Sequence, residues 1–432
     1  MRKKTVITIL FFLLMVSHTA ISQKQLNSPY SRFNIGTLES QGSFKNKAMG
    51  GVGIAMRDNN AIHYMNPASY SSLDTNSFVF DFGFDFGTSV LKQGDNKYSS
   101  NDMNFKHLMM GFPIAKKWGV AVGIVPISRG YYNISNYVSE ETDANYDPVR
   151  GPYYSSNSGK GGFSNLFLGT GVSILKNLSI GINMTVMFGS LDRSQAIIFE
   201  DYDNNFHTSI SEGMKINGIN FDYGLQYMTK IKDDYFLNVG FTLVSGKSYK
   251  SNYEYFAATT SIYHTTYDPY DTLVYISEAA APVKLPQAYK TGVAFGKPNK
   301  YTIGFDVVAT PWSKSNIPGF KKYAANTMTY ALGIEYIPEK YSNSSILKRT
   351  EYRFGAHLGD NYLILDDIQL KEKGVSFGMG IPLRRTISRV NLFIDYTQIS
   401  ASKNSGLHTE NTITIGGSLN FYDFWFFKRR YN

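Results

Sequence analysis

The chain contains no cysteine. That absence excludes disulfide frameworks, thiolate metal sites, iron–sulfur clusters and thiol nucleophiles. Charge is scarce: Asp, Glu, Lys and Arg make up 18% of the 432 residues, against 43% hydrophobic and 15% aromatic. So high an aromatic share excludes a disordered chain. There are no heptads and no repeat of fixed period, which excludes coiled coils and solenoids. Beyond the N-terminus the longest uncharged apolar stretches are about 10–13 residues, well short of the roughly 20 that a membrane-spanning helix needs. None of the seven histidines has a zinc-binding spacing, and no Gly-x-Ser-x-Gly elbow appears. The sequence therefore predicts no metal, no cofactor and no enzymatic activity.

What is present begins with Arg2, Lys3 and Lys4, an apolar run over residues 6–16, and Ala20-Ile21-Ser22. This is the pattern of a secretory signal peptide over residues 1–22, with the mature chain starting near Gln23. Its removal lowers the formal net charge from +9 to +6. The basic residues are scattered singly over many turns, so no nucleic-acid partner is expected.

The remaining pattern is alternation. Phe78, Phe80, Phe82, Phe84 and Phe86 share one parity, with Asp81, Gly83, Asp85 and Gly87 between them. Side chains alternate faces along a strand, so one face is apolar and the other small or polar. About fourteen such segments occur, starting near residues 77, 104, 118, 163, 177, 216, 235, 287, 300, 327, 351, 374, 390 and 411. Each has the roughly 9–14 residues of a tilted membrane-crossing strand. Short connections alternate with long ones at 91–103, 128–162, 190–213, 247–285, 311–326, 360–373 and 400–410. This rhythm predicts an all-β chain: an antiparallel transmembrane barrel of about 14 strands over residues 77–422, with periplasmic turns and extracellular loops. Both termini are expected in the periplasm, the last being a basic aromatic tail over 423–432.

Residues 23–76 lack strand alternation yet are apolar, and a barrel this wide is not filled by wall side chains. The expectation is an N-terminal hatch inside the lumen. Here Gly50-Gly51-Val52-Gly53-Ile54-Ala55, followed by Asn66-Pro67-Ala68 just before the first strand, resembles the hatch of the FadL-type outer-membrane transporters. Leu285-Pro286-Gln287 resembles another recurring feature of that family. Gly51-x-Gly53 is not a dinucleotide fingerprint, because Met56 stands where Gly or Ala is required and no strand precedes it.

The resemblance implies an outer-membrane channel for passive uptake of hydrophobic compounds such as long-chain fatty acids. It further implies release into outer-membrane lipid through a side gap in the wall at a kinked third strand. Pro126, Ser128 and Gly130 are the candidates for that gap, since proline interrupts a ladder; a strand that simply ends there is the alternative. Parity places Asp81, Asp85, Lys290, Asp306, Glu335, Arg353, His357 and Asp395 on the lumen side. Lys290 and Arg353 are candidate anchors for a carboxylate head group, the alternative being an internal ion-pair network. FadL-like barrels also include non-transporting subunits, such as the shuttle barrel of the type nine secretion system. A protein-binding role in a secretion or assembly complex is therefore the rival reading. Tyr-rich long loops, with Tyr131, Tyr132, Tyr137, Tyr153 and Tyr154 among them, are the expected contact surface.

Overall fold

The computed structural model describes residues 28–425 apart from 95, 140–145, 202–205, 233, 262–267, 319–322, 385 and 402–405. The expected signal peptide and residues 426–432 of the basic tail lie outside the described residues.

A two-residue strand, β1 (Thr37–Leu38), belongs to the N-terminal segment. The wall then runs β2 (Ser77–Gln93), β3 (Asn96–Ala115), β4 (Trp118–Arg129), β5 (Tyr132–Val138), β6 (Tyr153–Ser173), β7 (Leu178–Phe199), β8 (His207–Ile231) and β9 (Tyr235–Val244). It continues β10 (Lys247–Ser261), β11 (Asp268–Leu285), β12 (Ala288–Lys297), β13 (Tyr301–Thr310), β14 (Thr327–Tyr336), β15 (Glu351–Leu365), β16 (Ile368–Pro382), β17 (Arg389–Ser400) and β18 (Thr409–Phe424). Three wall strands are each split in two: β4 with β5, β9 with β10, and β11 with β12. Pairing is antiparallel throughout, and β18 closes on β2 from Thr409–Lys92 to Phe424–Ser77. The result is a closed barrel of fourteen strands.

Alternation sets which side faces lipid. Phe84 and Phe86 on β2 and Ile180, Ile182, Met184 and Phe188 on β7 are exposed outward. Asp81 and Asp85 are buried inward, as are Asp306, Glu335 and Arg353. Lys290, His357 and Asp395 are half-buried. Lys117, Lys232 and Asn299 take left-handed φ values of 63°, 58° and 62° in the short connections. Such conformations reverse a chain within two or three residues.

The long connections differ from the sequence expectation. Much of 91–103, 128–162, 190–213 and 247–285 is strand rather than loop. On β7 the outward residues change from Phe188 to Ser190, Asp192 and Ser194. On β8, counting down the residue numbers from its C-terminal end, they change from Ile219 to Asn217 and Lys215. Beyond that level the outward face meets water as well, the apolar–polar alternation weakens, and the sequence signal weakens with it. Backbone pairing persists nonetheless. The order β5–β6–β7–β8–β10–β11 forms a six-stranded sheet projecting from the barrel mouth.

Residues 28–76 pack against the inward-facing wall. Ile35 joins Phe163, Met187, Leu191 and Ile216 in one buried cluster, and Ile62, Tyr70 and Leu73 join Met109, Val125 and Phe167 in another. The core of the molecule is thus the interface between this segment and the barrel.

Candidate functional site

The wall is shaped for the segment it encloses. Gly119, Gly171, Gly181 and Gly224 sit directly opposite one another across β4, β6, β7 and β8. The backbone of residues 66–70 lies on this row. A Cβ at Gly181 would come 2.5 Å from the Ala68 nitrogen, and one at Gly171 or Gly119 would strike the Pro67 or Tyr70 carbonyl. A second row, Gly304–Gly333–Gly355 across β13, β14 and β15, lies under residues 49–52. Only glycine permits backbone to approach a strand so closely.

Polar contacts fix the segment on these rows. The Asn66 side chain caps the 3₁₀ turn Pro67–Ser72 by accepting from the Ala68 N–H at 3.1 Å, and it donates to the Ile54 carbonyl at 2.8 Å and the Leu225 carbonyl at 3.1 Å. Asp306 Oδ2 accepts from the Gly53 and Ile54 N–H groups at 2.7 and 2.9 Å. Asn238 donates to the Ala55 carbonyl at 2.8 Å, and Gly50 N–H donates to Ser376 Oγ at 2.9 Å. Gly50, Gly53, Asn66 and Pro67 therefore all lie at contacts between segment and wall. Gly51 instead borders a cavity and has open space at its Cβ position.

Two buried charge clusters complete the packing. In the first, Asp58 binds Lys45 and His63 at 2.7 and 2.8 Å, and Lys45 reaches Glu335 at 3.2 Å. Arg353 continues the chain: it donates to Glu335 and Asn391 at 2.7 and 2.9 Å and pairs with Glu351. Glu351 also binds Arg389 at 2.9 Å. In the second, Glu39 of the N-terminal segment pairs with Lys106 of β3 and Arg129 of β4, and Arg129 binds Asp102 at 2.6 Å.

The second cluster sits where the wall ladder is interrupted. β3 and β4 pair from Ala115–Trp118 to Leu108–Ile124 and no further. On its other edge β4 stays paired with β6 through Pro126–Ser164, then bulges at Ile127 before Ser128–Phe163. Beyond Ile124, the free edge of β4 is taken by β1: Leu38 pairs with Ser128 and Thr37 with Arg129. The Glu39 N–H donates to the Ile127 carbonyl at 2.8 Å, so the bulge carbonyl is also engaged. Gly130 N–H bonds the Gly161 carbonyl at 2.9 Å. Of the residues read from sequence, Pro126 and Ser128 face this junction and Gly130 closes it toward β6. Higher up, β3 and β5 splay apart around a cleft of about 350 Å³ bordered by Tyr98, Asn133 and His408.

A cavity of about 410 Å³ lies between the segment and the upper wall, bordered by Leu38, Tyr64, Phe167, Trp312 and Tyr330. Lys290 lines it together with Asp222, Asp306, Asp360 and Glu372. Arg353 does not. Its guanidinium is spent on Glu335, Glu351 and Asn391, so the two cations expected to hold one carboxylate are not brought together.

A family profile described as BamG matches residues 1–432. The chain belongs to the BamG family. The chain also resembles solved barrels of the FadL type. A Pseudomonas aeruginosa FadL homologue shares 12% identity, covers 90% of this chain and 100% of its own, and has a TM-score of 0.58. The Pseudomonas putida toluene transporter TodX shares 15% over 91% and 100%, with a TM-score of 0.56. The CymD monoaromatic hydrocarbon channel shares 14% over 92% and 100%, also at 0.56. No curated protein sequence matches. The chain thus has a FadL-like barrel fold, and its structural neighbours are channels for hydrophobic compounds.

Sequence reasoning missed the Glu39–Lys106–Arg129–Asp102 cluster and the glycine rows. The rows had a signal: Gly119, Gly171, Gly181 and Gly224 all stand at inward parity on neighbouring strands. The cluster had none, because β1 is two residues long and shows no period.

Proposed function

We propose that this BamG-family barrel is non-transporting and acts as a protein-binding subunit of an outer-membrane secretion or assembly complex, with both termini in the periplasm. The observation that carries this reading is the junction at β4. The wall interruption that could serve as a side exit is filled by the chain's own β1 and held by buried charges on β2–β4 and on the segment. Residues 28–76 occupy much of the lumen below the cavity, and the family designation points the same way. A fatty-acid head group fits the cavity poorly, because Lys290 is outnumbered by carboxylates on the same surface and like charges disfavour one another.

A second reading, passive passage of a neutral hydrophobic compound, is favoured by one observation: the apolar side of the cavity at Leu38 and Phe167 adjoins the interrupted ladder. Mass spectrometry of the protein purified from native outer membrane in mild detergent separates the two. A stoichiometric protein partner with no bound hydrophobe is expected. A stoichiometric free fatty acid or other hydrophobe with no protein partner would overturn the proposal.

A further inference from the structure

The six-stranded extension ends in an edge that nothing among the described residues covers. Among the described residues β11 pairs with β10 only, apart from one bridge between Lys284 and Asn316. Residues 271–280 are exposed throughout. At their centre stand four consecutive apolar residues, Leu273, Val274, Tyr275 and Ile276, between 41% and 62% exposed. Lipid does not cover them. Their partner β10 pairs from Ser251–Ile216 to Thr260–His207 of β8, beyond the level where the outward residues of β8 have become Asn217 and Lys215.

An exposed apolar edge in water is a template for strand addition, and soluble folds normally blunt such edges with lysine, proline, a bulge or a cover. Neither lysine nor proline occupies 271–280, and its pairing with β10 bulges at Leu273. The edge carries only negative charge: Asp271 and Glu278 flank the apolar centre, and no Lys or Arg lies between residues 268 and 283. This decides against a second copy of the chain. The antiparallel register that aligns Leu273–Ile276 with itself sets Asp271 opposite Glu278, and like charges directly opposite destabilise a pair.

We infer that the 271–278 edge of β11 docks an extended strand of another protein, with alternating β-branched residues at its centre and Lys or Arg at both ends. Backbone N–H and C=O groups of the edge supply affinity, and the flanking acids set register. This rests on the protein-binding reading above and names the surface that reading requires.

The test uses the full chain in nanodiscs and a synthetic peptide, Lys-Lys-Val-Thr-Val-Thr-Val-Lys-Lys, with a control in which the central Val is Pro. Amide exchange at 271–278 should slow at least tenfold with the peptide and not with the control. The protection should vanish in a Val274→Lys, Tyr275→Lys variant that keeps wild-type exchange in the barrel. Absence of protection by the Val peptide overturns the proposal. So does a dimer of the wild-type chain that the variant abolishes, which would assign the edge to a second copy. Native complexes separate this inference from its parent. A stoichiometric partner retained by the variant refutes the edge and leaves the protein-binding reading standing. A wild-type chain with no protein partner refutes both.

Discussion

Gly181→Ala tests whether the glycine rows hold the luminal segment. The added Cβ would lie 2.5 Å from the Ala68 nitrogen, against ordinary contact distances of 3.4–4 Å. The neighbour is backbone, capped by Asn66 and pinned through Ile54 and Leu225, so it cannot swing aside as a side-chain tip would. Either β7 or the 66–70 turn must give by about 1 Å, and overpacking of this kind costs roughly 1–3 kcal/mol. That corresponds to an increase of about 5- to 160-fold in the opening equilibrium of the segment. Gly213→Ala is the matched control, since its nearest neighbour, Asp192 Oδ1, is 3.6 Å away and its φ is not left-handed. Amide exchange at residues 68–72 should accelerate by that factor in Gly181→Ala and not in Gly213→Ala, while the β7–β8 ladder stays protected. Gly171→Ala meets the same Pro67 carbonyl, so once the turn has lifted a second alanine adds little, and the double variant should fall well short of additive. Equal exchange at 68–72 in Gly181→Ala and the control would refute the close-approach argument.

Other expectations follow from the same contacts. Arg353→Met leaves Glu335 and Glu351 buried without their common cation and should cost about 3–5 kcal/mol, read as a lower urea midpoint for barrel unfolding. Asn66→Ala removes a cap and the two hydrogen bonds that Asn66 donates to the Ile54 and Leu225 carbonyls, so exchange at 68–72 should rise by a factor equivalent to about 1–2 kcal/mol. His408 stacks on Tyr30 at 3.9 Å, and burial, with Arg32 nearby, pushes its imidazole down to about 4. Its neutral form is the one the folded state accepts. The contribution is intact above the ordinary histidine value near 6.5 and is lost as pH falls through that value toward 4. Protection at Tyr30 and Ser31 should therefore weaken across that window and stay flat in His408→Gln. Glu39→Gln should loosen β1 and raise exchange at Thr37 and Leu38 without opening β13–β15.

How much of this was legible in sequence depends on what each residue faces. Strands between lipid and lumen carry the two-residue period, so β2, β7, β13 and β18 were readable from Phe80, Ile182, Phe305 and Ile415. The outward faces of their extensions meet water, and Ser190, Asp192, Asn252 and Glu254 look like loop residues although backbone bonds keep them in strands. Parity also placed Asp81, Asp306 and Arg353 inward. It could not pair them, because Lys45 and Asp58 come from a segment with no period at all. Pro126 marked the disturbed strand, but the feature that matters there is the loss of β3 on the opposite edge, which depends on register and not on residue type.

The junction at β4 bears on both readings of function through its energy. A wall built only to close would continue the β3–β4 ladder past Ile124. A wall built to leak would leave the edge of β4 bare. Here the lost rungs are replaced by two pairs from β1 and by Glu39, which neutralises Lys106 and Arg129 together. Withdrawing β1 breaks both ion pairs of Glu39 and leaves Lys106 with Asp85 and Arg129 with Asp102, and each charged hydrogen bond lost costs about 1.5–3 kcal/mol. The open state is then populated at roughly one part in 10² to 10⁴, so passive flux through the junction is reduced by the same factor. Unassisted diffusion needs a path that is open most of the time, whereas a latch this expensive suits an opening that occurs only when another molecule supplies the energy. Toluene permeation into liposomes carrying wild-type or Glu39→Gln protein measures the difference. No permeation in either assigns the junction to structure and supports the protein-binding role, and permeation by the wild type would show that the latch does not close the wall.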